Sequence, residues 1–201
     1  MGYLNGNYWI ERSDYMYYKY IDLMVRVAGS GANSIIDVGS GNSPYLEWFD
    51  WIEEKTSIDI KSPYSSARVQ SITANILYYD FRKKYDICMC LQVLEHVQDP
   101  QPFAHKLFEL SDTVIISVPY KWPKGTSKGH VQDPVDEEKL EKFTGRKPNF
   151  SVVVIEPFVP VNHARRLIAI YSSDPKKNWG GGKLKDRKLR DMGAISPAGS
   201  S

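Results

Sequence analysis

The chain has 201 residues, 42% apolar and 12% aromatic, enough for one domain with a full hydrophobic core and ordinary for a soluble globular protein. Its net charge of +2 provides no global field to attract nucleic acid, no apolar run approaches the roughly 18 residues that span a bilayer, and the N-terminus lacks a basic-then-apolar signal pattern. Gly6 also stands where N-myristoylation expects Ser or Thr. The two cysteines, Cys88 and Cys90, are too close for an ordinary disulfide and too few for a zinc site. They read as reduced core residues of a cytoplasmic protein, with no metal centre expected.

In chain order, residues 1–33 form an aromatic segment in which Tyr17, Tyr20, Ile21 and Met24 fall at helical spacing. A first strand is predicted over 34–38, followed by a turn through Gly39 and Gly41. A helix is predicted from Pro44 to about Glu54, with Ser43 as N-cap. Thr56 to Ile60 reads as a second strand, Val69 to Thr73 as a third and the apolar run Asp86 to Leu91 as a buried fourth. Pro102 to Leu110 is helical by pattern, and β-branched Thr113 to Val118 reads as a fifth strand. A loop rich in Pro, Gly and Lys follows, then a helix starting near Pro134 with Asp133 as N-cap. Ser151 to Ile155 and Leu167 to Tyr171 complete seven strands. Strands alternating with helices imply an α/β fold with a mainly parallel sheet and helices on both faces. From Asp174 onward seven Lys and Arg oppose three Asp, a net of +4, and residues 173–201 read as a basic, disordered tail.

The run Ile35-Ile36-Asp37-Val38-Gly39-Ser40-Gly41 carries the most chemistry. Glycines tolerate positive φ and let a ligand approach the backbone, and a following helix start offers unpaired N–H groups. That arrangement makes a cofactor site at the carboxyl end of a first strand. A carboxylate at Asp37 repels a pyrophosphate and attracts an ammonium group, which suits a cofactor with an amino-acid tail. The dinucleotide fingerprint would need a third glycine where Pro44 stands, which counts against a nicotinamide-dependent oxidoreductase. Asp59, 18 residues after Gly41, suits ribose hydroxyls in either case.

On these residues the chain resembles the class I S-adenosylmethionine-dependent methyltransferases. Asp37 to Gly41 matches the first motif of that family, with Ser43 in place of a frequent third glycine, and Ser57-Ile58-Asp59-Ile60 matches the second. Tyr85 to Val97, ending in Leu94-Glu95-His96-Val97, matches the fourth-strand motif, and Gly129-His130-Val131 with Asp136 to Leu140 resembles the segment after the fifth strand. The likeness spans roughly residues 34–172, the expected methyltransferase domain, with 1–33 as a cap segment. It implies a Rossmann-like, doubly wound sheet of seven strands with an antiparallel final strand. It implies S-adenosyl-L-methionine as cofactor, S-adenosyl-L-homocysteine as product, and Asp37, Gly39, Ser40, Gly41, Asp59, Ile60, Asn75, Leu91 and Gln92 as cofactor-binding residues. Asn75 stands where the family often has Asp; its amide oxygen can accept the same adenine hydrogen bond, or it is an ordinary turn residue.

Methyl transfer from a sulfonium relies mainly on alignment, since the cofactor carries the activation. A hydroxyl acceptor benefits from a base, for which His130 and His96 are the candidates, whereas an amine needs none. A structural hydrogen bond is the alternative role for His96. Glu95 is expected to orient a loop, and His105 to lie on a helix surface. Tyr8, Trp9 and Arg12 are candidates for capping cofactor or substrate, Arg12 by holding a carboxylate. The Asn/Asp-Pro-Pro-Tyr segment of base-amino methyltransferases and the Pro-Cys loop of cytosine-C5 enzymes are both missing, which disfavours nucleic acid. A small molecule or biosynthetic intermediate is the expected acceptor; the loop Tyr120-Lys121-Trp122-Pro123-Lys124 with Lys128 and His130 mixes aromatics with cations that suit an acidic, sugar-like or phosphorylated one, the alternative being simply solvated lysines. The alternative is a non-catalytic cofactor-binding regulator or scaffold.

Overall fold

Continuous apolar strands demand cover on both faces, whereas alternating ones need it on one. Here β1 (Ser34–Val38) is buried at all but its first residue and β4 (Ile87–Leu91) throughout, so both belong at the centre of a sheet. The computed structural model describes residues 12–179 and places them there. With β2 (Glu54–Asp59), β3 (Gln70–Thr73), β5 (Thr113–Pro119), β6 (Phe150–Ile155) and β7 (Arg165–Ser172), they form one seven-stranded sheet of order β3-β2-β1-β4-β5-β7-β6. The pairs from β3 through β5 are parallel, and β7 runs antiparallel to both β5 and β6. The Rossmann-like, doubly wound expectation is met. Short, largely exposed β3 forms one edge, where little apolar surface needs cover.

Alternate residues of the strands feed two cores. On one face α1 (Met16–Ala28) lays Tyr17, Ile21, Met24 and Val25 against Ile35, Ile87 and Met89. On the other, α2 (Pro100–Leu110) and α3 (Glu137–Thr144) bring Leu107, Leu110, Leu140 and Phe143 onto Ile36, Cys88 and Cys90. Both thiols are free and fully buried. The amides opening α1 have no local side-chain cap; Met16 and Tyr17 donate instead to the carboxylate of Glu156, at 3.0 and 2.7 Å.

Three expectations need correction. The helix expected over 44–54 is a single 3-10 turn, Pro44–Trp48, and Ser43 makes no side-chain cap bond. Leu46, Phe49 and Ile52 are all buried, and a spacing of three fits successive tight turns better than an α-helix; Phe49 N donates to Leu46 O and Ile52 N to Phe49 O. The helix expected from Pro134 begins at Glu137, because Asp136 rather than Asp133 caps it, accepting from Lys139 N at 3.0 Å. Finally, the fold does not stop at Ser173. Asn149 Nδ2 donates to the carbonyls of Asp174 and Lys177, and Trp179 packs against the core cluster that includes Val154 and Ile170. The rest of the expected tail, 180–201, lies outside the described residues. Among the described residues no helix is long and apolar enough to cross a membrane.

Candidate functional site

The strand order reverses between β1 and β4, and in open α/β sheets a crevice forms there, beyond the carboxyl ends of the strands. The glycine turn opens onto that crevice. Gly39 and Gly41 have φ of 74° and 54°, the left-handed region that glycine enters without strain. A Cβ at Gly39 would also stand 2.5 Å from the Val93 side chain. Gly39 N donates to Ile58 O at 2.8 Å, and the Ser40 and Ser57 hydroxyls meet at 2.6 Å, so the turn is tied to β2. Asp59, at the end of β2, is held by three amides: Gly41 N reaches Oδ2 at 3.2 Å, and Lys61 N and Ser62 N reach Oδ1 at 2.8 and 3.1 Å. Ile60 beside it is 63% exposed, an apolar side chain left at the rim.

Asn75 is held near Asp59 because Ala74 N donates to Asp59 O; its own Oδ1 accepts from Leu77 N at 3.0 Å in a turn of its own making. Leu91 ends β4, and Gln92 follows with a φ of 57°, unusual for a residue with a Cβ. Gln92 N donates to Ser117 O, and Gln92 Nε2 to Ser117 Oγ at 3.2 Å; that hydroxyl also meets the Tyr17 hydroxyl at 2.6 Å. The first helix is thereby wired to the crevice wall.

Asp37 is fully buried, and the Tyr45 hydroxyl donates to its Oδ2 at 2.5 Å. Burial pushes its carboxyl up to about 7, opposed by the Tyr45 bond and helped by the nearby charge of Asp59. Near neutral pH it is a mixture of acid and anion. Its Oδ1 has no hydrogen-bond partner among the described residues, which suits a donor such as a ligand ammonium.

A second group of side chains lies past β4, on the 3-10 turn Leu94–His96. Glu95 is 1% exposed, and burial pushes its carboxyl up to about 8, with the Asp133 charge adding to the effect. His96 Nδ1 lies 3.0 Å from Gly129 O, and His130 Nδ1 lies 2.6 Å from Asp133 Oδ2. The two imidazoles meet edge to face with centroids 4.7 Å apart, and burial lowers the pKa of His96, helped by His130. Trp122 stacks on His130 at 5.6 Å and meets His163 at 4.7 Å. Arg166 lies over the Tyr17 and Trp122 rings and donates to His163 O.

The fold thus brings both histidine candidates into one cluster and sets the cofactor candidates around one crevice. His105 is exposed on α2. Tyr8 and Trp9 lie outside the described residues, and Arg12 stands just before α1, its carbonyl accepting from Tyr15 N. Lys121, Lys124 and Lys128 are exposed, so the loop after β5 contributes Trp122 and His130 inward rather than its cations. The residues missed from sequence as site residues are Asp133, His163 and Arg166; of these only Asp133, three residues after His130, carries a local signal. A groove bordered by Ile52, Lys55, Arg68 and Gln70 lies at the amino ends of β2 and β3, away from this chemistry.

No protein-family model matches the sequence, and no curated protein matches it either. Solved structures do match in shape. The N-methyltransferase NodS from Bradyrhizobium japonicum WM9, in complex with S-adenosyl-L-homocysteine, is 12% identical over 84% of this chain and 92% of its own, with a TM-score of 0.62. The plantazolicin methyltransferase BpumL, in complex with a desmethyl-plantazolicin analog and the same product, is 12% identical over 83% of this chain and 88% of its own, with a TM-score of 0.57. The methyltransferase domain of bacterial CtHen1-CN is 18% identical over 77% of this chain and 96% of its own, with a TM-score of 0.54. This chain has the methyltransferase fold.

Proposed function

We propose that the chain transfers a methyl group from S-adenosyl-L-methionine to oxygen or nitrogen of a small molecule or biosynthetic intermediate. The observation that carries this reading is the joint placement of two left-handed glycines, the triply held Asp59 carboxylate and the unpartnered Asp37 Oδ1 at one switch point. When bound, the sulfonium cofactor supplies an already activated methyl group. Asp59 then accepts from ribose hydroxyls, because its oxygens keep lone pairs beyond those used by the three amides. Asp37 accepts from the ammonium of the amino-acid tail, which draws its proton away. Asn75 and exposed Ile60 border the adenine, Ser40 stiffens the turn, and Leu91 and Gln92 wall the crevice.

Acceptor handling is assigned to the Glu95–His96–His130 group, with Tyr8, Trp9 and Arg12 as cap. Half-buried His96, its basicity lowered first by desolvation, is the candidate base for a hydroxyl acceptor. Two buried free thiols suit a reducing, cytoplasmic setting. Calorimetric titration with S-adenosyl-L-methionine, S-adenosyl-L-homocysteine and NADH tests the cofactor, and a panel of hydroxyl and amine acceptors screened for homocysteine release tests transfer. Binding of both sulfur compounds with none of NADH is expected. Tight NADH binding with neither sulfur compound bound would overturn the reading.

A further inference from the structure

The Glu95–His96–His130 group has features that neither core packing nor the cofactor crevice explains. Glu95 is almost fully buried, yet its Oε2 has no hydrogen-bond partner among the described residues. An unpartnered buried carboxyl oxygen is expensive even though the group also accepts from the Glu95 backbone amide, and such oxygens are normally paired or bound to a metal. Arg166, the nearby cation, spends its hydrogen bond on His163 O and its face on aromatic rings.

The histidines point to what the partner is. A carbonyl oxygen can only accept, so the contact with Gly129 O requires the proton of neutral His96 on Nδ1. The Asp133 carboxylate, with its side chain fully buried, selects the same tautomer in His130. Each ring therefore has its Nε2 lone pair free. An imidazole whose Nδ1–H is held by a carbonyl or a carboxylate is the usual arrangement behind a histidine metal ligand. One ligand atom from each of Glu95, His96 and His130 lies within 4.8 Å of the others. Around a metal held at about 2.1 Å, tetrahedral ligands stand roughly 3.4 Å apart, so a small inward rotation closes the set. Trp122, stacked on His130, shields one side from water.

We propose that Glu95, His96 and His130 bind a first-row divalent transition metal of the Zn2+ or Mn2+ kind, oriented by Gly129 O and Asp133. Two imidazoles and one carboxylate suit Zn2+ or Mn2+ better than Mg2+, which prefers all-oxygen, octahedral shells. Three protein ligands leave positions open for an outside oxygen. If the methyl-transfer reading of the neighbouring crevice holds, on which this last step rests, that oxygen is a hydroxyl of the acceptor. The metal then does the activation for which a histidine base seemed necessary. It also departs from the metal-free expectation drawn from the cysteines alone.

The test uses the full chain, stripped with a chelator and titrated calorimetrically with Zn2+, Mn2+ and Mg2+, alongside Glu95→Gln, His96→Ala and His130→Ala. About one equivalent of Zn2+ or Mn2+ should bind, with Mg2+ far weaker. Each variant removes a ligand and should lose more metal affinity than the roughly 10–100-fold that removing an outer partner costs, with an unchanged far-ultraviolet spectrum. Should Glu95→Gln fail to fold, the two histidine variants decide. No binding of either metal, or binding that none of the folded variants weakens, would overturn the proposal. S-adenosyl-L-homocysteine is titrated in parallel. Metal binding without it leaves the metal site standing and sinks the methyl-transfer reading; the converse does the reverse.

Discussion

Replacing Asp37 by Asn should make the ligand-free protein more stable at neutral pH while impairing its cofactor site. The Asp37 carboxyl is pushed from 3.8 to about 7 by burial, above its unfolded value. The folded state therefore holds a proton that the unfolded chain has already released, and folding stability falls as pH rises from about 4 to about 7. For these two values the loss is about 2 kcal/mol between pH 5 and pH 7, and about 4 kcal/mol in total counted from below both pKa values to full ionisation above pH 8. Asn at this position does not titrate and still accepts from the Tyr45 hydroxyl. Urea unfolding of both proteins at stepped pH reads the difference directly. Glu95, whose carboxyl is pushed up in the same direction, titrates in both proteins and cancels. The stability gap in favour of Asp37→Asn should widen by about 2 kcal/mol from pH 5 to pH 7 and level off above pH 8. With saturating S-adenosyl-L-homocysteine the ammonium stabilises the ionised form, so the parent should recover stability that the variant does not. Parallel stability curves without ligand would refute the buried-carboxyl argument.

Asp59→Ala should weaken S-adenosyl-L-homocysteine binding by about 1–3 kcal/mol, the scale of charge-assisted hydrogen bonds. Gly39→Val should be worse in the same titration, since it forces a Cβ into the Val93 side chain at a φ of 74°. At the C-terminal end, truncation after Ser173 removes the Trp179 packing and the Asn149 bonds, so its melting temperature should fall by several degrees, at about 2–4 °C per kcal/mol lost. Truncation after Trp179 should leave melting and cofactor binding unchanged.

The parts of this molecule legible in the sequence are those whose constraint is local. Ile35 to Gly41 shows its strand, turn and carboxylate in one stretch, because a strand buried on both faces must be continuously apolar and a left-handed turn favours glycine. The central strands β4 and β5 were legible for the same reason. The helix after Gly41 was misread because helix-start signals at Ser43 and Pro44 say nothing about how far a helix runs. The length is set by Leu46, Phe49 and Ile52 reaching the core at a spacing of three. Asp133 and Asp136 both precede helix-forming residues, and nothing local says that the first is taken by an imidazole and the second by an amide.

The acceptor side was legible only in its pieces. Glu95 and His96 lie together on one turn, but His130 reaches them from beyond β5, and His96 finds its carbonyl partner at Gly129, 33 residues away. Trp122, His163 and Arg166 arrive from three different segments. A histidine's tautomer decides whether its free nitrogen takes a proton or a metal, and here that tautomer is set by oxygens from distant chain. Sequence named His96 and His130 as possible bases, with a structural hydrogen bond as the alternative for His96. The buried oxygen of Glu95 between strand end and loop changes the question from which histidine accepts a proton to what cation the three share.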